Sequence, residues 1–420
     1  MRHFFPRLPH WLESLPDPRD PLRIVYPQET LLWGGLMMFL THLGSRRQFN
    51  YEGRDSSGWM ANLATLADHT LTTVPHGDTI AYYLERLPPE PLAAIPQRMV
   101  NRLIRTKALD RFRLFGHLLV AFDGTGHLTY STRHCSHCLT QTHEGKTIYF
   151  HPVLEAKLVT PSGLALSVAT DFIENTSEAP SRQDCELKAF YRLAARLKAC
   201  FPQAHLCLLL DALYARAPVF SLCKRNRWRY IITLKEGAMP CVFDEFERLK
   251  ALEPAQQRIW AKEGKRQTFH WIEAIPHADD TVNVLECVEQ NDDTPTRFAW
   301  LTNFPLTKDT VVPIANKGGR QRWKIENQGF KAQKKDGMAM EHAYSDHPRA
   351  SKNYYLLLQM AHMMIQLLCH GLLKKTFHKT WGSFRNFVRR LAEAFRTLVI
   401  PGDEPAGTPG RLFQIRLDSS

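Results

Sequence analysis

Two apolar segments of the chain each run directly into an aspartate, and a third acidic residue follows in a basic stretch. Residues 118–122 precede Asp123, residues 206–210 precede Asp211, and the third acid is Glu326. Both segments are too apolar for surface strands, so we expect neighbouring buried strands whose ends hold the two aspartates at one sheet edge. Carboxylates at a buried edge repel each other, and a bound cation removes that penalty.

Carboxylate oxygens suit hard cations such as Mg²⁺ and Mn²⁺, which keep waters and substrate phosphates in their coordination shell. Two such ions can hold the attacking and leaving oxygens of a phosphoryl displacement. We therefore interpret Asp123, Asp211 and Glu326 as catalytic ligands of Mg²⁺ or Mn²⁺ that cut and join nucleic acid. The alternative for each aspartate is an ordinary capping or solvated residue at the end of a strand.

The third acid stands alone among many cations between residues 316 and 335. On a regular helix, Arg322 lies one turn before Glu326 and Gln333 two turns after it, so the three would share one face. We expect the basic side chains of this stretch to contact DNA phosphates, and the candidates are Arg320, Arg322, Lys324, Lys331, Lys334 and Lys335. The alternative is a solvated basic helix in which Arg322 only forms an ion pair with Glu326.

A short segment with two cysteines and two histidines, residues 134–138, has the ligand types of a zinc site. A structural zinc site needs four ligands, and the sequence offers no second Cys-x-x-Cys or His-x-x-x-His pair. His143, Cys185 or another distant residue would have to complete the set. We therefore favour a reduced, metal-free loop over zinc at Cys135 and Cys138, since nine cysteines without an export signal indicate a reducing cytosol.

The composition favours a polyanionic partner and argues against a membrane protein. The chain has 420 residues, a formal net charge of +12 and a sequence pI of about 9.3. Its apolar segment 31–43 is too short to span a bilayer. Segment 354–373 is longer, but its polar residues recur every three or four positions, which predicts a core or dimer-interface helix. We expect a cytoplasmic protein with two or three domains.

The order of the predicted elements indicates an α/β protein with a mixed sheet flanked by helices. Residues 1–112 form a helical N-terminal region, which could read DNA or simply cover the next domain. Predicted strands cover residues 118–122, 148–158, 165–172, 206–210 and 230–234 within a region that spans 113–235, and residues 183–199 form a helix there. Residues 236–303 hold a second set of strands at 267–275, 282–289 and 297–302. Residues 304–398 are helical again, and 399–420 form a flexible tail.

The segments around the three acids resemble those of the DDE transposases of bacterial insertion sequences. The likeness is to the cut-and-paste branch, which carries a β-rich insertion between the second aspartate and the glutamate. It rests on Val120-Ala-Phe-Asp123-Gly-Thr, Leu209-Leu-Asp211-Ala-Leu-Tyr-Ala and Trp323-Lys-Ile-Glu326-Asn-Gln-Gly-Phe. Asp211 lies 88 positions after Asp123, and Glu326 lies 115 positions after Asp211, which leaves room for an inserted unit. The likeness covers residues 115–375 and is only general for residues 1–110.

The resemblance implies an RNase H-like catalytic core with Asp123, Asp211 and Glu326 as its metal-binding triad. It also implies a signature around the glutamate, of which Arg322 is present. Gly319 and Gln333 stand where the signature has tyrosine and lysine, with Lys331 and Lys334 as the neighbouring lysines. The missing tyrosine leaves the family's hairpin intermediate without support here.

The implied function is a DNA transposase that nicks element ends and joins the freed 3′-OH to target DNA by two-metal-ion phosphoryl transfer. The partner would be double-stranded DNA, bound by a homodimer in the bacterial cytoplasm at the nucleoid. Two other functions stay open: an RNase H-like nuclease without strand transfer, and a transposon-derived DNA-binding protein that does not cut.

Overall fold

The computed structural model describes residues 4–176, 183–262, 265–290, 294–372 and 377–400. Within these ranges the protein is a mixed α/β structure around a ten-stranded sheet that contains both parallel and antiparallel pairs. The tail predicted at 399–420 lies almost entirely outside the described residues. No helix in the described ranges combines the length and the hydropathy needed to cross a membrane.

The N-terminal region is helical, as the sequence predicts. Its helices are α1 (Leu8–Glu13), α2 (Gln28–Leu40), α3 (Arg46–Gly53), α4 (Ser57–Ala67), α5 (Gly77–Arg86) and α6 (Pro89–Arg105). Helix α2 is apolar on all sides, and it is buried because α1, α4 and α5 surround it together with a C-terminal helix, α12 (Pro348–Leu367).

The sheet has parallel strands at its centre and antiparallel strands on both sides of them. Its strands are β1 (Leu118–Tyr130), β2 (Leu139–His143), β3 (Lys146–Val159), β4 (Ala165–Phe172), β5 (Leu206–Leu210), β6 (Arg229–Thr233), β7 (Gln257–Lys262), β8 (Lys265–His277), β9 (Asp280–Gln290) and β10 (Thr296–Thr302). Their order across the sheet is β2-β3-β1-β5-β6-β10-β9-β8-β7, and β4 pairs with β3. The parallel pairs are β1 with β5 and β5 with β6.

Helices connect the parallel strands, because two parallel neighbours in a sheet need a crossover connection. Helix α7 (Glu186–Cys200) precedes β5, and α8 (Ala217–Asn226) connects β5 to β6. All five residues of β5 are buried, in agreement with a strand covered on both faces.

Residues 257–302 extend the same sheet through the pairing of β10 with β6. The three strands predicted in this region are present as β8, β9 and β10. Strand β7 and the preceding helix α9 (Pro240–Leu252) were not predicted. Strand β7 is mostly exposed, so its sequence lacks the apolar run that would reveal it.

The C-terminal part of the chain is helical but irregular. It contains α10 (Val311–Pro313), α11 (Ala332–Lys335), α12, α13 (Phe377–Trp381) and α14 (Phe384–Thr397). Between α10 and α11 the chain forms π-helices at Ile314–Gly318 and Ile325–Lys331 and a 3-10 turn at Gly319–Gln321. Helix α12 is buried from Asn353 to Leu367 against α2, α5, α6 and β4, which confirms the prediction of a core helix.

A buried polar cluster joins α12 to the sheet. The Lys157 ammonium group donates to Gln359 Oε1 at 2.5 Å and lies 3.5 Å from Glu155 Oε2, and both charged side chains are fully buried. Glu155 also accepts hydrogen bonds from the hydroxyls of Ser167 and Thr170. Each buried charge therefore has the opposite charge and at least one further hydrogen-bond partner, which is the condition under which buried charges are tolerated.

We predict that removing one member of this pair destabilises the protein strongly. Lys157→Met leaves Glu155 as a buried charge without its cation, and the expected loss is about 3–5 kcal/mol in the free energy of unfolding measured with urea. The double variant Glu155→Gln/Lys157→Met should recover most of that loss. Lys146→Met, on the exposed part of the same strand, is the control and should stay within about 0.5 kcal/mol. An unchanged stability of Lys157→Met would contradict the prediction.

Candidate active site

The first two acids occupy equivalent positions on neighbouring parallel strands. The pairing of β1 with β5 runs from Leu118 opposite Leu206 to Ala121 opposite Leu209. Asp123 lies two residues past Ala121 and Asp211 lies two residues past Leu209, so the two acids hold equivalent positions relative to this parallel register. Asp211 directly follows β5, and its Oδ1 accepts the Leu213 N–H at 2.9 Å.

Asp123 is not at the end of its strand, contrary to the sequence prediction. Strand β1 continues to Tyr130, because its other edge stays paired with β3, with Asp123 opposite Glu155. Only the parallel pairing with β5 ends before the aspartate. The carboxyl group therefore lies where β1 leaves the centre of the sheet, which keeps it at the edge that the sequence indicates.

Glu326 reaches the same place from the π-helix Ile325–Lys331. Its carboxyl group is near enough to that of Asp123 to help raise the pKa of Asp123. Arg322 lies against both acids, with Nη1 3.7 Å from Asp123 Oδ2 and Nη2 3.7 Å from Glu326 Oε1. The side chain of Asp123 is 17% exposed and that of Glu326 is 53% exposed, so one acid is embedded and the other faces solvent.

A fourth acid, Glu186 in the first turn of α7, borders the site and was not predicted. Its carboxylate packs on the backbone of Gly124, where an added Cβ would lie 3.0 Å from Glu186 Cδ. The buried Tyr214 hydroxyl donates to Glu186 Oε1 at 2.7 Å. In the sequence Glu186 is one of several polar residues at a helix start, so no local pattern distinguishes it.

The electrostatics of the site reflect burial and crowding of like charges. Burial raises the pKa of Asp123 to about 7, with Glu326 and Glu186 adding to the shift and the Arg322 guanidinium opposing it. Burial also raises the pKa of Glu186, and Asp211 contributes. A divalent cation would stabilise the charged form of carboxyl groups whose pKa is raised in this way. The donor set of oxygens fits Mg²⁺ or Mn²⁺.

The basic residues predicted to bind DNA divide into two groups. Arg322 forms ion pairs with Asp123 and Glu326. Arg320 forms an ion pair with Glu289, in which Nη2 lies 2.8 Å from Oε2. Lys324 lies beside Trp323 and donates to the carbonyl of Pro161. The remaining three lie further along: Lys331 and Lys335 are exposed, and Lys334 pairs with Glu341 at 2.8 Å.

Gln333 does not share a face with Arg322 and Glu326, so that expectation was wrong. Its side chain is fully buried and donates to Gln359 Oε1 at 2.7 Å. The π-helical turns between residues 325 and 331 change the angular spacing that a regular helix would give. Gly319 is equally constrained, because an added Cβ would lie 2.5 Å from the Trp300 ring, which leaves no room for a tyrosine.

A basic groove adjoins the acids and has a volume of about 1230 Å³. Its cationic lining residues are Lys235, Arg258, Lys262, Lys265, Arg297, Lys317, Arg320, Arg322 and Lys324. Three tryptophans also line it, Trp260, Trp300 and Trp323. The groove combines positive charge with aromatic faces, and it runs from β7, β8 and β10 to the helical segment that carries Glu326.

The cysteine segment is not completed by the residues considered from the sequence. Cys135 and Cys138 lie with His134 and His151 so that one ligand atom from each falls within 4.8 Å of the others. His143 and Cys185 are not part of this group. His151 comes from β3, and no spacing rule connects it to the cysteines.

Two comparisons of this chain with known proteins gave no match. No protein-family model matches it, and curated proteins give no significant match. Its function is therefore argued from the residues and geometry above.

We predict that Asp123 makes the stability of Mg²⁺-free protein depend on pH. Its folded-state pKa of about 7 exceeds the ordinary value of 3.8, so the folded protein binds more protons than the unfolded chain between these values. Stability should therefore fall as pH rises from about 4 to about 7. Mg²⁺ should raise the melting temperature at pH 7.5 and have little effect at pH 5.

Asp123→Asn should flatten this pH dependence and remove the Mg²⁺ response in the same thermal-unfolding measurement. Glu90→Gln, an exposed acid on α6, should behave like the wild type. A full Mg²⁺ response in Asp123→Asn would remove this residue from the metal site.

Proposed function

We propose that this protein is a DNA transposase of the DDE type, which cleaves element ends and joins them to target DNA. The observation that carries the proposal is the position of Arg322, 3.7 Å from both Asp123 and Glu326, while Asp211 directly follows β5 at the position equivalent to Asp123. These three acids are 88 and 115 positions apart in sequence. A basic groove beside them supports nucleic acid as the substrate.

The arrangement of the sheet supports an RNase H-like core within this proposal. Strands β1, β3 and β4 are antiparallel neighbours, and a helix then leads to the parallel strands β5 and β6. Strands β7–β10 lie between the second acid and the third in sequence, where the family carries its β-rich insertion. In this protein they would form one wall of the groove that receives DNA.

The carboxylates of Asp123, Asp211 and Glu326 would hold Mg²⁺ or Mn²⁺, with Glu186 close enough to join or orient them. The bound ions would supply activation of the attacking oxygen and stabilisation of the leaving oxygen. Arg322 keeps the acids partly neutralised, and its planar guanidinium suits a phosphate oxygen pair next to the scissile bond. Tyr214 holds Glu186 through its hydroxyl and so fixes that carboxylate against β1.

The groove would position DNA through contacts with the phosphates of the DNA backbone. Cations along it neutralise backbone charge, and exposed indole faces such as that of Trp323 offer a stacking surface for a base displaced near the cleavage point. Binding of this kind depends little on sequence, so recognition of element ends would need further contacts. The helical N-terminal region and a second copy of the chain are the proposed sources.

We predict that Asp123→Asn, Asp211→Asn and Glu326→Gln each abolish cleavage while DNA binding persists. Each change keeps the side-chain size and removes a charge that holds the metal. Cleavage and strand transfer are measured with Mg²⁺ on DNA that carries the element's own ends, and binding is measured on the same DNA. Glu90→Gln is the matched control and should retain activity. Ordinary cleavage by any of the three would exclude that residue from the site.

The same assay separates the proposal from its alternatives. Cleavage with strand transfer supports a transposase, and cleavage that never yields joined product indicates a nuclease. Sequence-specific binding without either reaction, in protein that is folded and supplied with Mg²⁺ or Mn²⁺, indicates a DNA-binding protein.

We predict that the groove carries the salt dependence of DNA binding. Arg258→Ala and Lys317→Ala should each reduce the slope of log K against log salt by about 1, because each removes one phosphate neutralisation. Arg225→Ala, exposed on α8, is the control and should leave the slope unchanged. If Arg258→Ala and Lys317→Ala both kept the wild-type slope, the DNA would bind elsewhere.

A further inference from the structure

The two cysteines of the segment 134–138 meet a histidine from a distant strand. Cys135 Sγ and Cys138 Sγ lie 3.6 Å apart, and His151 Nε2 lies 3.4 Å from the first sulfur and 3.1 Å from the second. His134 supplies the fourth ligand through a ring nitrogen, and all four ligand atoms lie within 4.8 Å of one another. Cys138 is fully buried, and the side chains of His134 and His151 are 20% and 14% exposed.

These separations are those of ligands around one tetrahedral ion. Bond lengths of about 2.3 Å to sulfur and about 2.0 Å to nitrogen put two sulfurs roughly 3.8 Å apart, and a sulfur and a nitrogen roughly 3.5 Å apart. The distances among the two sulfurs and the His151 nitrogen agree with these values within about 0.4 Å. A thiolate–imidazole set of this kind suits zinc among the common divalent ions.

The surroundings hold the ligands in place. His151 Nδ1 faces Glu174 Oε1 at 3.9 Å, on the side of the ring away from the sulfurs, and His134 stacks on Tyr130 at 4.3 Å between ring centres. The backbone of the segment is fixed by Asn175, whose Nδ2 donates to the Cys138 carbonyl at 2.8 Å. A carboxylate behind a ligating histidine is the usual outer contact of a zinc site.

We propose that His134, Cys135, Cys138 and His151 bind a structural Zn²⁺ ion. Four protein ligands leave no open position for substrate, so the ion would act in folding rather than in catalysis. This site is separate from the carboxylate site, because Asp123 lies seven positions before Tyr130 on the same strand. The proposal does not depend on the transposase function.

The ion would stabilise the arm formed by β2 and the first half of β3. Most of this arm is exposed, from Gln141 to Ile148, so it buries little apolar surface of its own. Small units without a core need another constraint, such as a metal. Three ligands lie in the connection between β1 and β2, and His151 lies in β3, so one ion would tie this connection to β3 at the base of the arm.

The test uses full-length protein purified under reducing conditions without chelators, with metal content measured by mass spectrometry. We expect one zinc per chain in the wild type and at least about a tenfold loss in Cys138→Ser and His151→Asn. Cys241→Ser, which changes an exposed cysteine on α9, should keep its zinc. Asp123→Asn should also keep it, which separates this site from the carboxylates.

A second measurement covers variants that fail to fold. Wild-type protein exchanged with Co²⁺ should show the visible absorption of a tetrahedral thiolate site, and zinc removal should speed tryptic cleavage after Arg133. Wild-type protein with neither zinc nor Co²⁺ absorption would overturn the proposal. Stoichiometric zinc in Cys138→Ser, or a disulfide between Cys135 and Cys138 in the reduced preparation, would overturn it equally.

Discussion

Repulsion among carboxylates at one sheet edge is the constraint on which the centre of this structure depends. Burial raises the pKa of Asp123 to about 7, and the nearby carboxyl groups of Glu326 and Glu186 add to that shift. Such crowding is unfavourable in the absence of compensation. Arg322 supplies positive charge between two of the acids, and Gly124 gives Glu186 room against the strand. A divalent cation would complete the compensation, which is the physical basis of the metal site that we propose here.

The position of Glu326 depends on contacts far from the acids. Its π-helix packs on the sheet through Gly329, where an added Cβ would lie 3.2 Å from Lys157 Cδ. The Gln366 amide of α12 donates to the carbonyl of Gln328 at 2.9 Å. The buried charge pair under this helix is thus linked to the site: it anchors the segment that presents the third acid. A helix with regular turns would present different side chains to the sheet.

Strands β1 and β3 connect the two candidate metal sites. One end of their pairing carries Asp123, and the other end brings His151 beside the two cysteines. The sites differ in chemistry as well as position, since one offers oxygen ligands near solvent and the other offers sulfur and nitrogen in a closed set. A zinc ion bound at the His151 end of this strand pair would also limit the motion of β1, which carries Asp123.

The sequence alone predicted β1 and β5 and suggested the three acids as candidates, because apolar runs of five residues before an aspartate are local patterns. The mostly exposed strands β2 and β7 lack such runs and were not predicted. The sequence also predicted α12 as a core helix, from an apolar sequence with one polar stripe. Tertiary structure decided the rest. Glu186 and His151 join their sites through strand pairing and helix packing, which no spacing along the chain encodes. Gln333 left the predicted face because π-helical turns altered the period that the sequence pattern assumes, and the buried amide and imidazole groups of α12 offered it hydrogen bonds that solvent could not match in that position.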